Sequence, residues 1–147
     1  MILGHLALVA AALFASAAFY VNFAEQPARL ALDDRPALLQ WQRSYERAAL
    51  MQASLAMVGF FLGLAAWWWQ GRDATWLVGA VAMLAPWPWT LLVIKPVNDR
   101  LNATTPEQAG AESRALIERW GRLHAGRTVL GVLATGIFFW GTSTTSP

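Results

Sequence analysis

Four long apolar segments, separated by polar stretches, dominate the hydropathy pattern of the chain. They cover about residues 2–23, 51–69, 74–94 and 123–141. Each is long enough to cross a bilayer, because a helix needs roughly 20 mainly apolar residues to span the hydrocarbon core. The pattern therefore predicts an all-α integral membrane protein, a single domain over residues 1–147 that forms an antiparallel up-down four-helix bundle.

The Lys and Arg residues are distributed unequally between the connections. The first connection carries four arginines and the third carries Lys95 and four arginines, whereas the second has only Arg72 and the termini have none. Basic residues favour the cytoplasmic side. We therefore expect an inner (cytoplasmic) membrane location, with connections one and three in the cytoplasm and both termini outside.

Two connections contain signals for helices that extend from the bilayer into the cytoplasm. Asp34 can cap a helix that has Pro36 in its first turn and continues into the second span. Residues 105–108, Thr-Pro-Glu-Gln, match a capping box, and the helix that they open is expected to continue into the fourth span. Helices two and four are thus predicted to extend beyond the inner interface.

Other local patterns affect the packing and the boundaries of the spans. Gly59 and Gly63 allow close helix approach, and Pro86 and Pro88 should interrupt the third span. Aromatic rings favour the membrane interfaces, which predicts an outer and an inner group: Trp67, Trp68, Trp69 and Trp76 outside, Trp41 and Trp120 inside. A cleaved signal peptide over residues 1–17 is an alternative for the first segment, but no basic residue precedes it and its apolar run continues to Phe23.

Composition excludes several classes of function. Without Cys, the chain cannot form disulfides or Cys-ligated metal sites. The two histidines, His5 and His124, fall at opposite membrane faces and no Glu-x-x-His motif occurs, so no metal or haem site is expected. No glycine-rich nucleotide motif is present, and a net charge of +2 gives no indication of nucleic-acid binding.

Polar residues in the fourth helix point to chemistry at the predicted cytoplasmic end. Trp120, His124 and Arg127 share one helix face. The His can transfer a proton and the Arg can hold an anion or oxyanion. Alternatively, Arg127 reaches the lipid headgroups and His124 merely lies in the interface.

The third span adds one candidate at the same level. Pro96 is expected to stop that helix at the inner surface. The following Asn98 can orient a substrate carbonyl, or it can act as a plain helix C-cap.

The first two spans supply the remaining candidates. Asn22 and Glu25 share a face with Arg29, for which a simple ion pair is the alternative. Tyr45 and Gln52 share a face of the second helix, and a polar group inside the membrane usually faces the bundle interior. The four ends are expected to form one half-buried pocket, lined by Glu25, Tyr45, Gln52, Asn98, His124 and Arg127.

These residues occur in ordered short motifs that resemble the anthrone-oxygenase-like family of small four-span membrane proteins. The motifs are residues 20–30 (YVNFAEQPARL), Trp41-x3-Tyr45-x-Arg47, Pro96-x-Asn98-x2-Leu101 and Trp120-x3-His124-x2-Arg127. The resemblance covers nearly the whole chain. It departs at Gln26, where a His is expected in many relatives, so a role that needs a second His there is not supported.

The resemblance implies an oxygenase that converts a polycyclic anthrone to a quinone with O2 and no bound cofactor. It implies that His124 removes a proton and that Arg127 and Asn98 stabilise the resulting oxyanion. The implied substrate-binding residues are Trp120, Tyr45, Gln52, Glu25 and Asn22, of which Trp120 and Tyr45 offer flat aromatic surface.

Two other functions stay open for the same pocket. A non-catalytic protein that binds a lipid or quinone, or a partner subunit, would need the same residues. A small transporter is less favoured, because no charge pairs cross the spans. The oligomeric state is open, including a homo-oligomer.

Overall fold

Four long helices make up the computed structural model of the protein, which describes residues 2–144. They are α1 (Ile2–Leu30), α2 (Asp34–Trp69), α3 (Ala74–Ala103) and α4 (Ala111–Thr144). Each contains an apolar window long enough to cross a bilayer, and no strand occurs within residues 2–144. The predicted all-α four-helix membrane bundle is confirmed, while residues 1 and 145–147 of the predicted domain lie outside the described range.

The helices form a closed ring in which each packs against its neighbours in sequence. Helix α1 packs against α2 and α4, and α3 packs against the same two helices from the opposite side. The first and third connections are short and lie at one end of the bundle, which we call the site end. The third connection contains a single 3-10 turn, Pro106–Gln108.

Glycines allow the helices to approach closely where the apolar core is tightest. A Cβ atom on Gly59 would lie 2.6 Å from the Met83 side chain, and one on Gly63 would lie 2.7 Å from the Phe138 ring. Both distances are shorter than van der Waals contact, so a larger residue at either position would require the facing side chain or the helix to shift. The predicted packing role of this glycine pair is confirmed.

Trp76, predicted to lie at the outer interface, is fully buried inside the bundle near the end opposite the site end. Its ring stacks on Phe138 with centroids 6.1 Å apart. Gly4 and Gly141 lie against the ring, and a side chain at either position would contact it. These two small residues open a space that the indole fills, and hydropathy alone does not reveal such a space.

The connection before α3 holds a helix cap of the ordinary kind. The Asp73 carboxylate accepts a hydrogen bond of 2.8 Å from the backbone N–H of Thr75. That bond stabilises the charged form and lowers the pKa of Asp73 below its ordinary value. The chain reaches this cap through two residues in the left-handed region, Gly71 and Arg72.

At the site end, the first residues of α2 and α4 differ from the predicted ones. The N-cap of α2 is Asp33, and Asp34 is the first helical residue. The Asp34 carboxylate pairs with Arg114 of α4. The predicted capping box is present, but the helix that it opens ends after three residues. The backbone of Ala109 is extended, so α4 begins only at Ala111.

Helices α1 and α3 continue through prolines at the site end, Pro27 in α1 and Pro96 in α3. Helix α1 runs beyond Phe23 to Leu30, and α3 runs through Pro96 to Ala103. The expectation that Pro96 stops α3 is wrong, and so is the C-cap role for Asn98, which lies inside the helix. The reason is a wider turn before each proline, described below.

Candidate active site

Two π-helical turns, at Val21–Glu25 and Thr90–Ile94, adapt α1 and α3 to their prolines at the site end. A proline has no N–H and its ring meets the carbonyl of the preceding turn. The N–H groups of Gln26 and Lys95, which directly precede the prolines, bond five residues back instead of four. Turns of this kind are frequent at functional sites, and here they place Asn22 and Thr90 opposite α4.

A closed cavity of about 30 Å³ lies between these turns, α2 and α4. All four helices contribute to its lining: Val21, Glu25, Arg29, Trp41, Ser44, Tyr45, Ala48, Ala49, Gln52, Thr90, Ile94, Asn98, Trp120, His124 and Arg127. The six residues expected to line one pocket all line it. At this volume the cavity has room for about two water-sized guests.

His124 is buried and held by Asn22 across the bundle. Its Nδ1 lies 2.8 Å from Oδ1 of Asn22, whose Nδ2 donates a 2.7 Å hydrogen bond to the carbonyl of Gly121. Because that carbonyl can only accept, the amide orientation is fixed and Oδ1 must face the imidazole. His124 Nδ1 therefore carries the proton, and in the neutral ring the lone pair is on Nε2.

Arg127 is a buried cation without a carboxylate partner. Its side chain extends into the bundle, with Nη1 3.3 Å from the hydroxyl of Thr90 and the guanidinium carbon 5.6 Å above the Phe14 ring. The residue is 7% exposed, and Nε has no hydrogen-bond partner. Within residues 2–144 no Asp or Glu pairs with it. Because the side chain is buried inside the bundle, the alternative in which it reaches the headgroups does not describe this conformation.

Tyr45, Asn98 and Gln52 bring further polar atoms to the cavity. Asn98 Nδ2 donates a 3.1 Å hydrogen bond to the Tyr45 hydroxyl, which leaves the phenolic proton free for another acceptor. Asn98 Oδ1 and both amide atoms of Gln52 are buried without a partner. Buried polar groups are normally paired, so these atoms indicate that a polar guest belongs in the cavity.

The aromatic residues of the site pack on one another. Tyr45 stacks on Trp41 with centroids 4.8 Å apart, and Trp120 lies 4.7 Å from the His124 ring. Arg29 also covers Trp120, with 5.5 Å between its guanidinium carbon and the ring centre. These rings form a rigid wall around the imidazole and leave little free flat surface inside the closed cavity.

Arg29 is the second buried cation of the site, and unlike Arg127 it is fully paired. It donates to Oε1 of Gln26 at 2.6 Å, to Ser44 at 3.2 Å and to Gln40, and it lies 3.6 Å from the carboxylate of Glu25. Gln26 Nε2 in turn donates to the carbonyl of Ile117 at 2.9 Å. In place of the expected His, Gln26 therefore links Arg29 to α4.

A sequence profile described as "Anthrone oxygenase" matches residues 41–137, which is 97 of the 147 residues. The chain belongs to the anthrone oxygenase family. Comparisons with curated proteins and with solved structures gave no match. The family points to a membrane-embedded, oxygenase-like function, and the matched region contains Tyr45, Gln52, Asn98, Trp120, His124 and Arg127.

The anthrone oxygenase profile does not cover α1, so the resemblance of residues 20–30 is carried by the sequence motif alone. Asn22 and Glu25 lie in that part. The structure nevertheless brings Asn22 to the imidazole and Glu25 to the cavity lining. The three partners that sequence reasoning missed as site residues are Arg29, Ser44 and Thr90. Only Arg29 gave a signal, a charge that shares a helix face with Asn22 and Glu25.

The arrangement around Asn22 predicts the tautomer of His124. In the NMR spectrum of protein with 15N-labelled histidine we expect two sets of imidazole signals, because His5 and His124 are its only histidines. We expect a protonated Nδ1 and an unprotonated Nε2 for His124. Asn22→Leu removes the acceptor of the Nδ1 proton and should convert this signal to a mixture of tautomers. A pure Nε2–H tautomer in the wild type would contradict the assignment.

Proposed function

We propose that this protein is a membrane-embedded oxygenase that oxidises the activated methylene group of a flat, polycyclic, anthrone-type phenol with O2 and no bound cofactor. One observation carries the proposal. Arg127, a buried cation with no carboxylate partner within residues 2–144, lines the same closed cavity as a histidine whose Nδ1 is bonded to Asn22. Such a pair suits a substrate that becomes an anion when it loses a proton.

The overall reaction balances without an external reductant. The methylene carbon loses two hydrogens and gains one oxygen, which removes four electrons, and O2 accepts four. One oxygen atom becomes the new carbonyl and the other leaves as water. In steps, a base removes a methylene proton, and the resulting carbanion adds O2 to form a peroxide anion. The protonated base returns its proton to this anion, which gives a hydroperoxide. The freed base then removes the remaining proton from the same carbon as the O–O bond breaks, and the departing hydroxide takes that proton to leave as water while the ketone forms.

His124 is proposed as the base in both proton removals. Its Nε2 would take the methylene proton and later the proton of the C–H that bears the hydroperoxide. The anion formed in the first step is an enolate, in which the charge lies largely on the carbonyl oxygen. Stabilisation of such an oxyanion by fixed donors is often worth several kcal/mol.

The donors for that oxyanion are Arg127, Gln52 and Tyr45. Arg127 Nε and Gln52 Nε2 are unpartnered donors, and the Tyr45 hydroxyl has its proton free. Asn98 was expected to bind the oxyanion itself. Since its Nδ2 donates to Tyr45, we propose instead that it orients the Tyr45 hydroxyl.

Oxygen consumption by the purified protein in lipid nanodiscs tests the proposal. With 1,8-dihydroxyanthrone as the substrate, we expect O2 uptake and quinone absorbance to rise together at a rate proportional to protein concentration. The spontaneous rate in empty nanodiscs is the control. A rate that does not exceed this background would reject the enzyme and favour the non-catalytic binding of a quinone or lipid.

A further inference from the structure

A second, much larger cavity adjoins the closed one at the outer surface of the bundle. It is a groove of about 830 Å³ between α1 and α2, with an apolar floor that includes Ala17, Leu39 and Met51. Pockets that bind drug-sized molecules have volumes of roughly 300–1,000 Å³. The groove is therefore large enough for a fused ring system, whereas the closed cavity of about 30 Å³ is not.

The groove and the closed cavity share a wall. Val21, Glu25, Ser44 and Ala48 line both spaces. Two of these residues are small, and Glu25 already pairs with Arg29. Only side chains, and no helix, separate a molecule in the groove from the pocket that contains His124 and Arg127.

The positive charges of the groove lie on one face of α2, whereas its one acidic lining residue, Glu25 of α1, pairs with Arg29. Arg43 and Arg47 are four residues apart on α2, and both line the groove. Neither makes a hydrogen bond or an ion pair within residues 2–144, and both are exposed. Two like charges at this spacing repel each other, and an anion between them removes that repulsion and accepts charge-assisted hydrogen bonds.

We propose that the groove is the docking site of the substrate, and that the substrate carries an acidic group which Arg43 and Arg47 bind. The proposal rests on the proposed function. The rings lie along the apolar floor, the carboxylate or phenolate lies between the two arginines, and one ring edge reaches the shared wall. For the reaction, side chains of that wall move aside so that the methylene edge of the substrate reaches His124. The ligand class is thus a flat polycyclic aromatic acid that comes from the bilayer.

The test compares two unreactive analogues that differ in charge. Anthraquinone-2-carboxylate and 2-methylanthraquinone are titrated calorimetrically into the inactive His124→Ala protein in phosphatidylcholine nanodiscs. We expect the double replacement Arg43→Gln and Arg47→Gln to weaken carboxylate binding about tenfold or more, since each charge-assisted bond is strong, and to leave methyl-analogue binding unchanged. The double Lys variant should keep most of the affinity.

The control is Arg122→Gln, an exposed arginine of α4 outside the groove, which should change neither affinity. Equal affinities for the double Gln variant and the wild type would overturn the proposal. A second contrary result combines two observations: the carboxylate does not bind, and native mass spectrometry finds phosphatidylglycerol on the wild type but not on the double Gln variant. The groove would then be a lipid site.

The two levels of the proposal fail separately. If the analogues bind as expected but the wild type consumes no O2, the oxygenase function is wrong and the docking site stands. If O2 uptake occurs and the double Gln variant keeps the wild-type KM for an acidic anthrone, the docking site is wrong and the function stands.

Discussion

Replacing Arg127 by Met is expected to lower kcat/KM for anthrone oxidation by about 100–1,000-fold, the usual effect of removing an oxyanion donor. The same change should leave the protein at least as stable as the wild type. Arg127 is buried and no carboxylate within residues 2–144 balances its charge, so an apolar side chain of similar length removes a desolvation cost. Activity assays and thermal unfolding in detergent measure the two effects.

Arg29 provides the matched control, because it is equally buried but fully paired. Arg29→Met leaves Glu25 and Gln26 without their partner, and breaking a buried pair in this way typically costs about 3–5 kcal/mol. We therefore expect opposite stability effects from the same substitution at two neighbouring positions. A strong loss of stability in Arg127→Met would show that Arg127 is a structural residue.

Replacing His124 by Ala is expected to reduce kcat by about 100–10,000-fold, the range of general acid–base catalysis. His124 is the only imidazole at the site end, and its Nδ1 is already engaged with Asn22. Quinone formation by the variant, corrected for the spontaneous rate, measures the loss. Added imidazole should restore part of the rate, since the truncation leaves a space of matching shape.

His5→Ala serves as the control for His124→Ala. His5 lies near the start of α1, at the opposite end of the bundle from the site, and its replacement should not change kcat. If His124→Ala kept its full rate, or if the loss came with unfolding and imidazole restored nothing, His124 would not be the base.

Much of the fold follows from hydropathy, because a bilayer requires long apolar helices and little else. The span limits were less accurate for a physical reason. At the site end the helices continue past the apolar runs and bury a second core of their own, which includes Leu38, Trp41, Leu101 and Ile117. Mixed polar and apolar sequence in this region conceals helices that only tertiary packing stabilises.

Part of the cavity lining was predictable from the sequence, but Ser44, Thr90 and the contacts between the lining residues were not. Helix periodicity placed Trp120, His124 and Arg127 on one face, and up-down topology brought the polar ends of the other spans to the same level. The contact between Asn22 and His124 joins residues 102 positions apart and depends on a π-helical turn. Such a turn arises from the bonding of a few backbone groups near a proline, which residue spacing does not reveal.

The hydrogen bonds of the two buried arginines were also only partly predictable from the sequence. Sequence spacing linked Arg29 to Glu25 and suggested a simple ion pair, which the structure contains. The further bonds from Arg29 to Gln26, Gln40 and Ser44 make it a structural residue. That Arg127 has no carboxylate partner within residues 2–144 is visible only once all four helices are in place, and this supports its proposed role.

Oxygen-isotope labelling tests the central claim most directly. The purified wild type is treated with a chelator and supplied with 1,8-dihydroxyanthrone and 18O2, without any reductant, alongside the His124→Ala variant. The account predicts one O2 consumed per quinone and one 18O atom in each new carbonyl, at a rate far above that of the variant. Quinone without 18O, a requirement for added reductant or metal, or equal rates in the two proteins would contradict it.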